Sequence, residues 1–296
     1  MSGALLDIKK KIASVKNTRK ITKAMQLVAA SKMRQFQKRA VSTRSYVWNL
    51  MDMLEENIDV QSSYTEAREA GEILFVLYTS DKGLCGPLNN KLINGLFRSE
   101  LWNSLTEEQR MLITIGKKGH DAARNLGVHV DKNLVGVPEK MNDVEALKSI
   151  DKILDFWRNG KAKQIIFVAP HYKNSFTFYP VLKTFLPFSK KMIESNIGHS
   201  EHAHSKRKPD PLTIYEPTKE VVISRLHEQV IMSMFVESFL ELKASEYSSR
   251  MMAMQSATDA ADKVTAGLSL QYNKARQQEI TREIAELVGA SDAISS

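Results

Sequence analysis

The two ends of the chain carry apolar residues at alternating steps of three and four, as in a helix that packs along a partner helix. In the first part these positions are Leu5, Ile8, Ile12, Val15, Met33, Phe36, Ala40, Val47, Leu50 and Leu54. In the last part they are Leu240, Ala244, Tyr247, Met251, Met254, Ala261, Leu268, Tyr272 and Ala275. The pattern predicts a long coiled-coil helix over residues 1–58 and another over 217–288, paired with each other in antiparallel directions.

The distribution of helix-breaking residues supports this prediction. All eight prolines lie within residues 87–217, no glycine occurs within 4–70, and Gly267 is the only glycine within 218–288. Since proline and glycine interrupt helices, both ends are expected to be continuous. Three polar residues occupy inward positions of the first helix and are expected to weaken the pairing locally: Arg19, Thr22 and Gln26.

The middle of the chain predicts a compact α/β domain over residues 71–195. Three short, continuous apolar runs are typical of buried strands: 73–78, 112–115 and 165–169. Two helical patterns separate them: 117–126 and 142–157. This alternation predicts a mostly parallel sheet, to which the partly alternating segment 176–185 adds an edge strand. Residues 196–216 are expected to form a polar segment that leads into the last helix.

Charge is distributed unevenly. The chain carries a formal net charge of +8, whereas residues 1–48 hold twelve Lys or Arg and a single acid, Asp7. The first helix is therefore expected to face a negatively charged partner: nucleic acid, an anionic membrane surface or an acidic protein. No apolar run is long enough to span a bilayer, and the single cysteine, Cys85, excludes an internal disulfide.

No set of residues predicts a catalytic site. The glycine-containing segments 80–86 and 116–119 each follow a predicted strand, where phosphates often bind, but neither has the GxxxxGK or GxGxxG spacing. Both are therefore interpreted as structural turns. His199, His202 and His204 lie close together without cysteine, which favours a solvated loop over a metal site.

Three motifs identify a resemblance. The segment 11–33 (KIASVKNTRKITKAMQLVAASKM) resembles the start of the γ subunit of F-type ATP synthases. The segment 80–89 (SDKGLCGPLN) is similar to that family's loop after its first strand, and the segments 249–259 and 272–284 are similar to its last helix. These motifs occur in the family's order and span the chain.

The resemblance implies a fold, a function and partners. The fold is a long antiparallel coiled coil of the two terminal helices with a Rossmann-like α/β domain. The function is that of a central rotor shaft, which couples ion flow through a membrane ring of c subunits to conformational change at catalytic sites on β subunits. The partners are α, β and ε subunits and the c ring. The shaft subunit is non-catalytic, needs no cofactor, does not enter the membrane, and lies on the cytoplasmic side of the bacterial plasma membrane.

The resemblance also implies contact residues. Eight residues are expected to meet β subunits: Arg276, Gln277, Thr281, Glu283, Arg250, Met25, Lys23 and Cys85. Arg250 and Met25 also match positions where the shaft meets its own partner helix. Tyr215 and Glu216, just before the last helix, match the foot that rests on the c ring.

Two alternatives from other functional classes remain open at this point. The basic first helix could belong to a coiled coil that binds nucleic acid, although it offers few aromatic residues for stacking on bases. The segment containing Gly83 and Gly86 could belong to an α/β enzyme that handles phosphate. The family's acidic β loops favour a protein partner over nucleic acid.

Overall fold

The computed structural model describes residues 3–139, 141–197 and 213–295. The elements in chain order are α1 (Gly3–Glu55), β1 (Glu72–Tyr78), α2 (Leu88–Phe97), α3 (Glu100–Asn103), β2 (Arg110–Ile115), α4 (Lys117–Asn125), β3 (Lys132–Leu134), α5 (Asp143–Arg158), β4 (Ala162–Tyr172), β5 (Phe178–Leu186), α6 (Lys190–Ile197) and α7 (Lys219–Ser295). At 1.5 Å per residue, α1 is about 80 Å long and α7 about 115 Å. Both long helices predicted from the heptad pattern are confirmed.

The chain forms two compact units. One, called the helical unit here, comprises Met1–Ala29 with Arg250–Ser296; the other, called the mixed unit, comprises Ala30–Ser249. Each unit therefore contains a part of α1 and a part of α7, and only the mixed unit contains the sheet. The domain boundaries predicted from the sequence, at residues 58, 71 and 217, were placed at the ends of predicted helices and strands. The division into compact units instead falls within the two long helices.

The sheet of the mixed unit has five strands in the order β3-β2-β1-β4-β5. The strands β3, β2, β1 and β4 run parallel, and β5 pairs antiparallel with β4. β1 is almost entirely apolar because helices cover both faces of a parallel sheet. The predicted mostly parallel sheet and its edge strand are confirmed.

Local signals define the helices around the sheet. α5 begins at a capping box, in which Asn142 Oδ1 accepts from the Glu145 backbone N–H at 2.8 Å and the Glu145 carboxylate accepts from the Asn142 N–H at 3.1 Å. Its buried face includes Ile150, Ile153 and Trp157. The short elements α2, α3, β3 and α6 were not predicted, and α7 begins two residues after Pro217 instead of at it.

Aromatic residues join the sheet to α7 in the mixed unit. Phe167 of β4 lies 5.4 Å from Tyr78 of β1 and 4.0 Å from Phe185 of β5, between ring centroids. Phe235 of α7 lies 6.3 Å from Phe167, and all four rings are fully buried. This part of α7 is therefore packed into the core of the mixed unit.

The two long helices are antiparallel within each unit. In the helical unit Arg19 contacts Asp262, Thr22 contacts Thr258, and Gln26 contacts Gln255. As the residue numbers increase along α1, those of their partners on α7 decrease, so the two helices run in opposite directions. In the mixed unit Phe36 stacks on Tyr247 and Arg44 contacts Glu241 in the same sense. The predicted apolar positions are buried or half-buried along both helices.

Candidate functional site

The polar inward positions of α1 pair with polar residues of α7. Thr22 Oγ1 lies 2.9 Å from Thr258 Oγ1, and both side chains are buried. One helical turn away on either side, Arg19 forms an ion pair with Asp262 and Gln26 Nε2 donates to Gln255. α7 therefore supplies a partner for each polar side chain, which the sequence did not reveal, and the expected local weakening of the pair stays a prediction. Such pairs fix the register of two helices, as buried polar residues do in coiled coils.

Four of the predicted contact residues lie on the exposed surface of α7. Arg276, Gln277, Thr281 and Glu283 are all exposed. In the described part of the chain no hydrogen bond or ion pair holds the side chains of Arg276 or Gln277. Both side chains are therefore available to another molecule.

Exposed apolar side chains surround this region of α7. Leu270 is 72% exposed and Leu287 71%, and Ile280, Ile284 and Val288 are also exposed. A large apolar surface on a water-soluble helix is typical of a site that another protein covers. The last third of α7 thus combines unpaired polar groups with apolar area.

The other predicted contact residues differ in accessibility. Lys23 is exposed, with its Nζ donating to Gln26 Oε1 at 3.2 Å, Met25 is half-buried, and Arg250 is 8% exposed. Tyr215 is half-buried and donates its hydroxyl to Asn57 Oδ1 at 2.8 Å, and Glu216 is exposed. The segment with His199, His202 and His204, which the sequence predicts to be a solvated loop, lies outside the described residues.

Cys85 faces the interior. Its side chain is 1% exposed, Asn89 Nδ2 donates to its sulfur at 3.2 Å, and Ser249 Oγ donates to its carbonyl at 2.6 Å. The neighbouring Leu84 is 63% exposed and has a φ of 61°. The surface of this loop is therefore formed by Leu84 and its exposed neighbours. The Cys85 thiol is buried and has almost no exposed surface that a partner could contact.

The start of α4 is filled by side chains of the chain itself. The Lys117 backbone N–H donates to Asp81 Oδ1 at 3.0 Å, and the Gly119 N–H donates to Thr79 Oγ1 at 2.8 Å. A Cβ at Gly116 would lie 2.2 Å from the Thr79 carbonyl oxygen, so the two loops are already in close contact. Because a carboxylate holds the position that a phosphate would need, this geometry disfavours a phosphate site at residues 116–119.

A buried charge cluster joins both long helices to the sheet in the mixed unit. Glu241 of α7 is completely buried; it pairs with Arg44 of α1 and lies 3.5 Å from both Lys183 Nζ of β5 and His171 Nδ1 of β4. Arg44 also donates to the Tyr172 carbonyl at 2.9 Å. Glu237, one turn before Glu241 on α7, is also buried.

The two carboxylates of the cluster differ in acidity. Burial raises the pKa of Glu237 to about 7, and neighbouring Glu241 adds to this rise although Lys183 and Arg44 oppose it. Burial also acts to raise the pKa of Glu241, but Lys183, Arg44 and His171 outweigh it and lower that pKa. Burial opposes the charge of Lys183, yet Glu241 and Glu237 raise the pKa of Lys183. Glu241 is thus the stronger acid of the two, and the raised pKa of Glu237 lies near neutral pH.

The raised pKa of Glu237 leads to a prediction about how the stability of the fold depends on pH. Because its folded pKa lies above its ordinary value, the folded chain holds this proton in a range where the unfolded chain has released it. The stability that it contributes is fully present below about pH 4.5 and is lost as the pH rises through about 7. Glu237→Gln should remove this loss, so the variant should gain roughly 2–4 kcal/mol relative to the wild type between pH 4.5 and 8.

Urea unfolding of the full chain at a series of pH values tests this prediction. Other titrating groups contribute similarly to both proteins and largely cancel in the difference. Glu228→Gln, at an exposed position of the same helix, is the matched control and should show no such trend. Parallel pH profiles for wild type and Glu237→Gln would contradict the assignment.

Sequence reasoning missed this cluster, although a signal was present. Glu237 and Glu241 stand four residues apart within the run 234–242, in which every other residue except Ser238 is apolar, on a helix with heptad spacing. Carboxylates flanked by large apolar residues on an inward face need cationic partners. Those partners, Lys183 and Arg44, come from distant segments of the chain. The sequence therefore indicates that cationic partners are needed, but it does not indicate which residues supply them.

Neither a metal site nor a membrane span is present in the described part of the chain. Within residues 3–139, 141–197 and 213–295 no three His, Cys, Asp or Glu side chains lie close enough to hold a metal ion. No helix among these residues is both long and apolar enough to cross a bilayer.

Comparison with known proteins identifies the family. The family model described as ATP synthase matches residues 4–294. The ATP synthase gamma chain of Heliobacterium modesticaldum is 32% identical over 97% of this chain and 98% of its own length. The chain belongs to the ATP synthase gamma chain family. A second gamma chain, from Stenotrophomonas maltophilia, is 33% identical over 97% of this chain and 98% of its own.

Solved structures agree with the gamma chain fold. A chain in the central stalk and c-ring structure of the Tetrahymena thermophila mitochondrial ATP synthase is 26% identical, with a TM-score of 0.59 over 80% of this chain and 99% of that one. A chain of the Euglena gracilis mitochondrial ATP synthase matches in fold, with a TM-score of 0.66 and 17% identity over 99% of this chain and 95% of that one. The family resemblance and the fold class predicted from the sequence are confirmed.

Proposed function

We propose that this gamma chain is the central rotor shaft of an F-type ATP synthase and is itself non-catalytic. In this role it couples ion flow through a membrane ring of c subunits to conformational change at catalytic sites on β subunits. The observation that carries the proposal is the antiparallel pairing of α1 with α7 by apolar and polar contacts. A single long helix twists easily, whereas two helices tied together by side-chain contacts resist torsion.

A shaft must also present different surfaces at different angles. Only contacts that differ between conformations can shift a conformational equilibrium, so a rotor with identical faces could not hold three β subunits in different states. The exposed part of α7 is suited to this task, because Arg276, Gln277, Thr281 and Glu283 lie among exposed apolar residues. We assign these four residues to contacts with β subunits.

The basic face of α1 fits an acidic partner. Lys16, Lys20 and Lys23 are exposed, and the first 48 residues carry all but one of their charges as cations. In this proposal Lys23 and Met25 contact loops of β, and Arg250 supports that contact from α7. The loop at Cys85 contributes through exposed Leu84, since the thiol itself is buried.

The foot of the shaft lies just before α7. Exposed Glu216 is the candidate contact with the c ring, and Tyr215 supports it through its hydrogen bond to Asn57. The ε subunit would bind the α/β region of the mixed unit. The chain would lie at the membrane surface on the cytoplasmic side of a bacterial plasma membrane.

The test uses the purified chain and the assembled complex. The chain alone should hydrolyse ATP no faster than a heat-denatured sample, because no phosphate loop or acid–base pair is present in its described residues. Together with α, β, ε and membrane subunits in vesicles it should support ATP-driven proton pumping. ATP turnover by the chain alone, or pumping by a complex assembled without it, would overturn the proposal.

A further inference from the structure

Three successive residues of α7 hydrogen-bond to three different loops of the mixed unit. The Tyr247 hydroxyl donates to the Glu139 carboxylate, which follows β3. Ser248 Oγ donates to the Ser175 carbonyl in the turn between β4 and β5. Ser249 Oγ donates to the Cys85 carbonyl, at 2.6 Å, in the loop after β1. All three side chains are buried.

These contacts approach α7 from different directions. Successive residues of an α-helix point about 100° apart, so three of them span roughly 200° around the helix axis. Helix α1 contributes from its own side: the Phe36 ring stacks on Tyr247 with 5.6 Å between centroids, and Lys32 Nζ lies 3.1 Å from the Tyr247 hydroxyl. One short stretch of α7 is therefore held by three loops and by the neighbouring helix.

Each of the three loops is held by a second contact. Lys32 forms an ion pair with Glu139, and the Ser175 hydroxyl lies 3.4 Å from the Tyr172 hydroxyl at the end of β4. Cys85 is held by Asn89, whose side chain also bonds Ser80 at the end of β1. The loops of Ser175 and Cys85 are thus tied to residues at the ends of β4 and β1, and the loop of Glu139 is tied to α1.

We propose that Tyr247, Ser248 and Ser249 form a collar that fixes the rotation of α7 about its own axis relative to the sheet. The proposal rests on the rotor function proposed above, since a shaft must receive torque without its helix turning inside the domain. Within this collar the three residues are positioning residues, and they act through geometry only.

Directional bonds suit this task better than apolar packing. Apolar burial depends on area and hardly on direction, so smooth apolar surfaces resist separation more than rotation. Turning α7 by about 20° would move an atom at the side-chain radius of roughly 5 Å by nearly 2 Å. Such a displacement is more than half the length of a hydrogen bond, so it misaligns or lengthens the three bonds, which weaken steeply as their angles close.

The decisive variant removes all three hydroxyls: Tyr247→Phe, Ser248→Ala and Ser249→Ala together. Ser245→Ala is the matched control, because the Ser245 hydroxyl is buried on the same helix and has no hydrogen-bond partner among the described residues. Tyr247→Phe alone, which keeps the ring stacked on Phe36, is the milder variant should the triple variant fail to fold.

The first measurement uses the free full-length chain and does not depend on the rotor function. Spin labels at exposed Lys152 of α5 and Glu228 of α7 report the spread of distances between the domain and the helix. The triple variant should widen this distribution about twofold and Tyr247→Phe less, because directional restraints are lost. An unchanged width in a folded triple variant, or in Tyr247→Phe alone, would overturn the proposal. Lower stability with an unchanged width would do the same, since it marks a merely structural role.

The second measurement uses the assembled complex. With the catalytic head locked by a non-hydrolysable ATP analogue, the angular variance of a rod attached to the α/β region reports torsional stiffness. We expect about a twofold larger variance for the triple variant and wild-type variance for Ser245→Ala. Wild-type variance in the triple variant would contradict the collar. Absence of ATP-driven rotation with the wild-type chain would contradict the rotor function instead, and the collar would then be decided by the label distances.

Discussion

Replacing Glu241 by glutamine is expected to destabilise the folded chain by about 3–5 kcal/mol, the usual cost of leaving a buried charge unpaired. The substitution preserves the volume of the side chain but removes the anion that balances Arg44 and Lys183. Because Glu241 is completely buried, both cations would lose an anion from the interior of the protein. Urea unfolding of the full chain measures the loss.

The pH dependence and a matched pair sharpen this test. Glu237 releases its proton near pH 7, so it can partly replace the missing charge, and the loss should be smaller at pH 8 than at pH 6. Arg225 and Glu228 form an exposed ion pair on the same helix, and Glu228→Gln should cost less than about 1 kcal/mol. Equal effects at the two positions would show that the buried cluster does not stabilise this fold.

The long helices were predictable because their signals are local and repeated. The apolar steps of α1 and α7 continue over many turns, and Gly267 is the only glycine or proline within residues 4–70 and 218–288. The central strands were predictable for a related reason: buried strands of a parallel sheet are continuous apolar runs. By contrast, β3 has only three residues, and its place in the sheet depends on pairing with β2 and not on its own composition.

The polar contacts were not predictable from local pattern. Arg19, Thr22 and Gln26 break the apolar repeat, and that break alone suggested weakness. Their partners Asp262, Thr258 and Gln255 lie more than 200 residues away, so only the fold reveals that they match. The same holds for Cys85, whose motif marks a loop, while the fold decides that the thiol points inward.

The exposed end of α7 carries the largest functional prediction. Arg276→Ala with Gln277→Ala should reduce ATP-driven proton pumping by roughly ten- to a hundredfold, the effect of losing about 1.5–3 kcal/mol at one step. Arginine offers five donors in a rigid fork, and glutamine adds a donor and an acceptor. Adjacent helix residues point about 100° apart, so the two side chains can bind separate groups on one surrounding loop.

Arg282→Ala separates loss of this contact from loss of an arginine. Arg282 is also exposed on α7, but it is paired within its own helix, with Glu279 at 3.6 Å and Glu286 at 3.5 Å. It should therefore leave pumping close to the wild-type rate. The double variant should keep the unfolding midpoint of the free chain, because neither side chain belongs to the buried surface between α1 and α7. Pumping that persists in the double variant would refute the contact, whereas lost pumping with an equally lowered midpoint would indicate a folding defect.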